Sequence, residues 1–208
     1  MVSPILVTLG DLLRQGGWTM APIYLCSIVA LAVFLKKLLD LRGARLGDLD
    51  WVEPMLQKLR AGRLEDAAAA AEDTRNPAGR VARATLGLLG SRPERAEAEA
   101  RRVGSLELQK LESQLPLLSF IAQVAPLLGL LGTVLGMVEL FVGLQGAGLA
   151  NVDVGRLSSG IWKALLTTAA GLSVAVPVLA AHAWLTQVSE RFRLMVGDVV
   201  QRILNEAP

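Results

Sequence analysis

The chain has 208 residues, of which 52% are hydrophobic, and its 21 basic and 19 acidic residues give a formal net charge of +2. Because acidic and basic residues are interleaved, this balance argues against a nucleic-acid-binding patch. The chain has one cysteine, Cys26, and one histidine, His182, so a single chain cannot build a disulfide framework or a thiolate metal site.

Three long stretches of the sequence carry no charged residue. They are Gln15 to Leu35, Ser113 to Val138 and Ala164 to Ser189. At about 1.5 Å per residue in a helix, each stretch can cross the roughly 30 Å hydrocarbon core of a bilayer. The alternative is a soluble protein with three buried helices, but uncharged runs beyond about 18 residues are rare in soluble folds. The sequence therefore predicts an all-α membrane protein with three transmembrane helices.

The distribution of lysine and arginine predicts how these helices are oriented. Residues 36–114 hold fifteen of the 21 basic residues, and the positive-inside rule places such a segment in the cytoplasm. The predicted order is an outer N-terminal segment (1–16), a first transmembrane helix (17–41), a cytoplasmic helical region (42–114), a second transmembrane helix (115–144), a periplasmic loop (145–157), a third transmembrane helix (158–188) and a cytoplasmic tail (189–208).

The cytoplasmic region is predicted to consist of short helices followed by one long helix, which together form a stalk. Asn76-Pro77 is typical of a turn. Ser91 and Glu94 have the spacing of a capping box, which predicts a helix start at this point. Strong helix formers then continue into the second apolar stretch, so we expect one helix from Pro93 to Val142 with kinks at Pro116 and Pro126.

Small residues recur inside the second and third apolar stretches. Gly132 and Gly136 form a Gly-x-x-x-Gly motif, which lets two membrane helices approach closely. We expect six residues to serve helix packing: Gly129, Gly132, Gly136, Gly171, Pro126 and Pro177.

The sequence lacks the common catalytic motifs. It contains no Walker loop, dinucleotide fingerprint, nucleophile elbow or zincin motif. We therefore expect no enzymatic activity and no cofactor.

Two segments carry a resemblance to a known family: APLLGLLGTVLGM at residues 125–137 and WKALLTTAAGLSVAVP at residues 162–177. With them, the chain resembles the MotA/TolQ/ExbB proton channel family, and most of all its ExbB/TolQ branch. The resemblance implies a homo-oligomer, a pentamer in that family, around the single membrane helices of an ExbD- or TolR-like partner that carries a membrane aspartate.

The resemblance also implies a function in the bacterial inner membrane. Proton flow there would drive mechanical work on a TonB- or TolA-like protein and support transport across the outer membrane. Three alternatives stay open at this stage: a non-conducting membrane scaffold, a TolQ-type role in envelope maintenance, and a gliding-motor stator.

Two threonines match pore-facing positions of the family. Thr133 lies in the Gly-Thr-Val-x-Gly motif and Thr168 in the Thr-Thr-Ala-x-Gly motif. The resemblance implies that both belong to a proton pathway. The alternative is that each hydroxyl only bonds a carbonyl three or four residues back in its own helix.

One pair of residues departs from the family pattern. Lys163 stands where family members commonly have a glutamate, and Glu139 stands where they often have an uncharged polar residue. In antiparallel helices the two lie at similar depth, since each is five or six residues from its helix's threonine. We therefore hypothesise an ion pair between Glu139 and Lys163, within or between subunits. The alternative is that both side chains extend separately to the outer interface.

Overall fold

The computed structural model describes residues 19–72, 74, 76–147 and 154–207. Within these ranges all regular structure is α-helical, as the sequence predicts. The helices are α1 (Met20–Ala44), α2 (Val52–Arg60), α3 (Leu64–Glu72), α4 (Pro77–Leu89), α5 (Pro93–Glu112), α6 (Leu115–Ala147) and α7 (Val154–Asn205). The predicted outer segment at 1–16 and part of the predicted loop at 145–157 lie outside the described residues.

Three helical stretches in the described part are long and apolar enough to cross a membrane: Met20–Ala44, Pro93–Gln145 and Leu157–Asn205. The prediction of three transmembrane-type helices is therefore confirmed. The chain divides into two compact units, which comprise residues up to 33 with 116–182, and residues 34–115 with 183–208.

The first unit exposes large apolar side chains on its helices. Leu127, Leu130 and Val134 of α6 and Leu165 and Val176 of α7 are all more than half exposed. A soluble protein rarely leaves such continuous apolar surface uncovered, whereas lipid or neighbouring helices cover it at no cost. The unit thus has the surface of a membrane-embedded structure.

The second unit has a conventional hydrophobic core. Helix α2 is amphipathic, and it buries Val52, Met55, Leu56 and Leu59 on one face. These side chains pack with Ala67 and Ala71 from the alanine-rich α3 and with Val199 and Ile203 from the end of α7. The alanines allow α3 to come close to its neighbours, and this explains why the alanine run lies in the core.

Asn76 links the start of α4 to the segment that follows α1. Its side chain accepts a hydrogen bond from the Ala78 amide and donates to the carbonyls of Leu46 and Asp48. Pro77 occupies the first turn of α4, where its missing amide costs nothing. The Asn76-Pro77 turn predicted from the sequence is thus a helix N-cap.

The start of α5 differs from the prediction. The N-cap residue is Arg92, and no side chain caps the helix, so the capping box predicted at Ser91 and Glu94 is wrong. The Ser91 and Arg92 amides instead bond the Leu88 carbonyl at the end of α4. The tight connection from α4 therefore continues past Ser91, and the helix starts at Pro93, as expected for the long helix.

The long helix expected from Pro93 to Val142 is interrupted. Helix α5 ends at Glu112, and α6 begins at Leu115. Pro116 explains the position of the interruption, because it has no amide hydrogen to donate to the Glu112 carbonyl and its ring crowds that carbonyl. The second predicted kink, at Pro126, falls inside α6, which continues through it.

A buried lysine satisfies carbonyls at this interruption. Lys37 of α1 is 5% exposed, and its Nζ donates hydrogen bonds to the carbonyls of Leu111 (2.8 Å) and Lys110 (3.0 Å). The Ser113 hydroxyl lies 3.4 Å from the same Nζ. The last carbonyls of a helix have no partner within the helix, and a cation at this end is favoured by the helix dipole. Lys37 thus fastens α1 to the end of α5.

We expect replacement of Lys37 by Met to lower the free energy of unfolding by about 1–3 kcal/mol, because it leaves the part-buried Leu111 carbonyl without its side-chain donor, whereas the Lys110 carbonyl keeps the Ser113 hydroxyl. Thermal or denaturant unfolding of the purified protein in detergent measures the change. Lys36→Met is the matched control, since Lys36 is the exposed neighbour on the same helix, and we expect it to change stability by less than about 0.5 kcal/mol. Equal effects of the two variants would contradict the role assigned to Lys37.

Candidate functional site

Helices α6 and α7 meet along a line of small residues, which we call the seam: Ala125, Gly129, Gly132 and Gly136 on α6, and Gly160, Ala164, Thr167, Thr168 and Gly171 on α7. Residue numbers rise along one side of the seam as they fall along the other, so the helices are antiparallel. The glycines have no side chain at the contact, and this absence allows the two backbones to approach each other.

The distances along the seam leave no room for a larger residue. A Cβ built on Gly171 would lie 2.5 Å from the backbone oxygen of Ala125, and one built on Gly132 would lie 2.6 Å from Thr167 Oγ1. A Cβ on Gly129 would lie 2.9 Å from the backbone oxygen of Thr167, whereas one on Gly136 would lie 3.3 Å from Ala164 Cβ. The contact is therefore tightest from Gly171 to Gly132 and looser at Gly136.

The two prolines of the predicted packing set lie inside helices. Pro126 is partly buried within α6, and Pro177 is exposed within α7. Each lacks an amide hydrogen and leaves the carbonyl four residues earlier without its usual donor. In the single chain, Pro177 thus faces away from the packed side of α7.

Thr168 bonds across the seam. Its hydroxyl donates to the Gly129 carbonyl at 3.1 Å, although the two residues belong to different helices. This bond depends on the close approach at Gly129, since a threonine side chain is too short to bridge helices at ordinary separation. Thr168 thereby differs from the alternative in which a membrane threonine bonds only its own helix.

Thr133 bonds within its own helix. Its hydroxyl donates to the Leu130 carbonyl, three residues back, at 2.7 Å. In both threonines the hydroxyl hydrogen is therefore engaged by a carbonyl, while the oxygen keeps lone pairs that can accept a hydrogen bond from another group.

Thr167 is a polar residue of the seam that was not selected from the sequence. It is 1% exposed, and its hydroxyl donates to the Ala164 carbonyl at 2.7 Å and lies 3.4 Å from the Gly129 carbonyl. In the sequence, the adjacent threonines Thr167 and Thr168 indicate that a hydroxyl faces the neighbouring helix at this point. Spacing alone does not reveal which of two consecutive threonines faces a neighbouring helix.

Glu139 and Lys163 lie next to each other near the ends of α6 and α7. Lys163 Nζ is 3.6 Å from Glu139 Oε2, and the two side chains are 39% and 68% exposed. They border a cleft of about 410 Å³ that is also lined by Gly136, Ser159 and Gly160. The separation permits an ion pair within one chain but is longer than a hydrogen bond. The antiparallel arrangement brings the two residues to the same level, although neither shares a helix face with Thr133 or Thr168 on ideal helices.

The seam residues include no side chain that could carry a proton. Between Ser113 and Val138, and between Ala164 and Ser189, the sequence contains hydroxyl and amide side chains and one histidine, His182, but no carboxylate. Hydroxyls and amides do not bind or release protons near neutral pH, and His182 is not one of the seam residues. A proton pathway along the seam would therefore need a titrating group from outside it.

A comparison with family models gives a match that covers more than half of the chain. The model of the MotA/TolQ/ExbB proton channel family matches residues 73–196, a range that includes the seam. The chain belongs to the MotA/TolQ/ExbB proton channel family. Together with the three apolar helices, this membership makes the chain a multi-pass membrane subunit of the proton-channel family.

Individual relatives carry the names of the ExbB and TolQ branches. An ExbB-like biopolymer transport protein of Synechocystis sp. is 32% identical over 98% of this chain and 84% of its own length. An ExbB-type biopolymer transport protein of Vibrio cholerae is 43% identical over 39% of this chain and 36% of its own length. The Tol-Pal system protein TolQ of Haemophilus influenzae is 40% identical over 36% of this chain and 32% of its own length.

We expect Gly171→Ala to lower the free energy of unfolding by about 1–3 kcal/mol, because its Cβ would lie 2.5 Å from a backbone oxygen that cannot rotate away. Gly143→Ala is the control in the same unit, since a Cβ there meets nothing within 4 Å. It should be neutral or slightly stabilising, because alanine favours a helix more than glycine does. Unfolding in detergent, followed by circular dichroism, measures both, and an unchanged Gly171→Ala variant would contradict the close seam.

We expect Glu139 and Lys163 to couple energetically. In a double-mutant cycle with Glu139→Gln and Lys163→Met, the loss in the double variant should be smaller than the sum of the single losses by about 1 kcal/mol. The amount of assembled complex and its unfolding in detergent are the measurements. The exchange variant Glu139→Lys with Lys163→Glu should recover most of the stability. Additive losses would show that the two side chains act separately.

Proposed function

We propose that this protein is the channel subunit of an ExbB/TolQ-type motor in the bacterial inner membrane. With an ExbD- or TolR-like partner that contributes a membrane aspartate, it would convert the proton motive force into mechanical work on a TonB- or TolA-like protein. This work would support transport across the outer membrane. The protein acts as a channel subunit without enzymatic activity of its own.

The observation that carries this proposal is that α6 and α7 present hydroxyls but no acid. Thr168 offers a hydroxyl oxygen in the seam and Thr133 offers one on α6, and the apolar stretches around them hold no carboxylate. These hydroxyls can orient a titrating group but cannot replace it. This requirement fits a partner helix with an aspartate.

The hydrogen bonds of the two threonines suggest how they would respond to that aspartate. When the aspartate is protonated, the hydroxyl oxygen of Thr168 can accept its hydrogen while Thr168 still donates to Gly129. When the aspartate is charged, the Thr168 hydroxyl would turn to donate to the carboxylate and leave the Gly129 carbonyl. The two protonation states of the aspartate thus favour different hydroxyl orientations, and we propose that this difference biases the position of the partner helix.

The energy available is sufficient for such a step. One proton that crosses a potential of 100 mV supplies about 2.3 kcal/mol, and several protons can contribute to one cycle. This exceeds the roughly 1 kcal/mol typical of a hydrogen bond exchanged between neutral partners.

For topology and assembly we propose a periplasmic N-terminus, a cytoplasmic C-terminus and a homopentamer around the partner helices. The basic residues of segment 36–114 support this orientation by the positive-inside rule. The exposed apolar faces of α6 and α7 offer surface for neighbouring subunits as well as for lipid.

A TolQ-type role in envelope maintenance is the second candidate. It is favoured by relatives named TolQ, among them the Haemophilus influenzae protein and a Pseudomonas aeruginosa protein that is 37% identical over 48% of this chain and 42% of its own length. The two roles share the membrane mechanism and differ in the protein on which the work is done.

We expect Thr168→Val to abolish proton conduction while assembly with the partner persists. Valine keeps the shape of threonine but removes the hydroxyl, so proton flux should fall at least about tenfold, as for loss of one positioned hydrogen bond at a charged group. The measurement is dye-detected proton flux into vesicles that contain both proteins under an imposed potential.

Thr168→Ser is the matched control, since it keeps the hydroxyl and should retain most of the flux. Thr133→Val should behave like Thr168→Val. If the Thr168→Val complex conducts normally, the threonine has no part in the pathway. If the unaltered complex assembles but does not conduct, the protein is a scaffold.

A further inference from the structure

A groove of about 1040 Å³ lies between α4 and α5 in the second unit. Its walls are rich in one residue type: Arg80 and Arg83 come from α4, Arg92 from the connection, and Arg95 and Arg102 from α5. Glu99 is the acidic residue among those that line it. We refer to this feature as the arginine groove.

The floor of the arginine groove is formed by small and apolar residues. The lining residues of this kind are Ala84, Gly87 and Leu88 on α4 and Ala98 on α5. A Cβ placed on Gly87 would meet nothing within 4 Å, so the space above this residue is open. The arginine side chains therefore surround an accessible depression and do not fill it.

The arginines differ in how far their charge is neutralised. Arg83 pairs with Glu72 at 2.5 Å, Arg102 pairs with Glu99 at 2.6 Å, and Arg80 pairs with Glu107. The hydrogen bond to Glu107 raises the pKa of Arg80 above its usual range.

The other two arginines keep their charge uncompensated. In the described part of the chain, the guanidinium groups of Arg92 and Arg95 make no ion pair or side-chain hydrogen bond, and both residues are exposed. The end of the groove at the start of α5 thus presents two free guanidinium groups, beside a helix N-terminus that no side chain caps.

We propose that the arginine groove binds a soluble phosphate-bearing anion of about the size of a nucleotide. Five arginines and no lysine line it, and the planar guanidinium group binds two phosphate oxygens at once, which an ammonium group cannot do. Its volume is at the upper end of the range for small-molecule sites. The start of α5 also favours a negative charge through the helix dipole.

A phosphate bound by the free arginines can belong to a soluble anion or to a lipid headgroup. Discs of zwitterionic lipid distinguish the two sources, because a soluble anion binds there without any anionic lipid.

The test is calorimetric titration of inorganic triphosphate and of ATP into the full-length protein in nanodiscs of zwitterionic lipid. We expect saturable binding, and we expect the double variant Arg92→Gln with Arg95→Gln to weaken it at least tenfold. The double variant should fold normally, since the two side chains have no partner to lose. Circular dichroism checks this point.

The matched control removes the same charge outside the groove. Arg101→Gln with Arg193→Gln replaces two exposed arginines that form only surface ion pairs with Glu97 and Glu190, and we expect binding to change less than twofold. Four outcomes would overturn the proposal: no binding by the unaltered protein, equal weakening in the control, equal competition by a glutamate-rich peptide, or binding that requires anionic lipid in the disc. The threonine pathway does not depend on any of them.

Discussion

The close contact between α6 and α7 is the constraint on which the membrane part of this protein depends. Glycines at positions 129, 132 and 171 remove the side chains that would hold the helices apart. Only at this separation can the Thr168 hydroxyl reach the Gly129 carbonyl. In a membrane, where burial of apolar surface does not drive helices together, such packing and bonding replace the hydrophobic effect. The same glycines therefore determine both the stability of the helix pair and the position of the hydroxyl.

The second unit is stabilised mainly by burial of apolar side chains, and the helix interruption before Pro116 lies at the boundary between the two kinds of packing. Its short amphipathic helices bury apolar faces against one another, and water can satisfy the polar faces. At the end of α5 the lost helical hydrogen bonds are replaced by the ammonium group of Lys37. A charged residue that the positive-inside rule counts as a topology signal therefore also has a structural role within this unit.

Much of this arrangement could be predicted from the sequence, because it follows from periodicity and composition. The three apolar stretches and the shared level of Glu139 and Lys163 depend only on residue spacing along helices. Other features depend on contacts between distant parts of the chain. Lys37 caps carbonyls more than seventy positions away, and the arginine groove needs α4 and α5 side by side. Ser91 had the spacing of a cap, but the connection after α4 places its amide on Leu88 instead.

The central claim is that this chain supplies positioned hydroxyls while another chain supplies the acid. The most direct test compares proton flux, under an imposed potential, into vesicles that contain this protein alone and into vesicles that also contain its single-span partner. The account predicts that the protein alone leaves the vesicles proton-tight and that the complex conducts. Equal conduction by the protein alone would contradict it, because no carboxylate lies within the apolar stretches around the threonines.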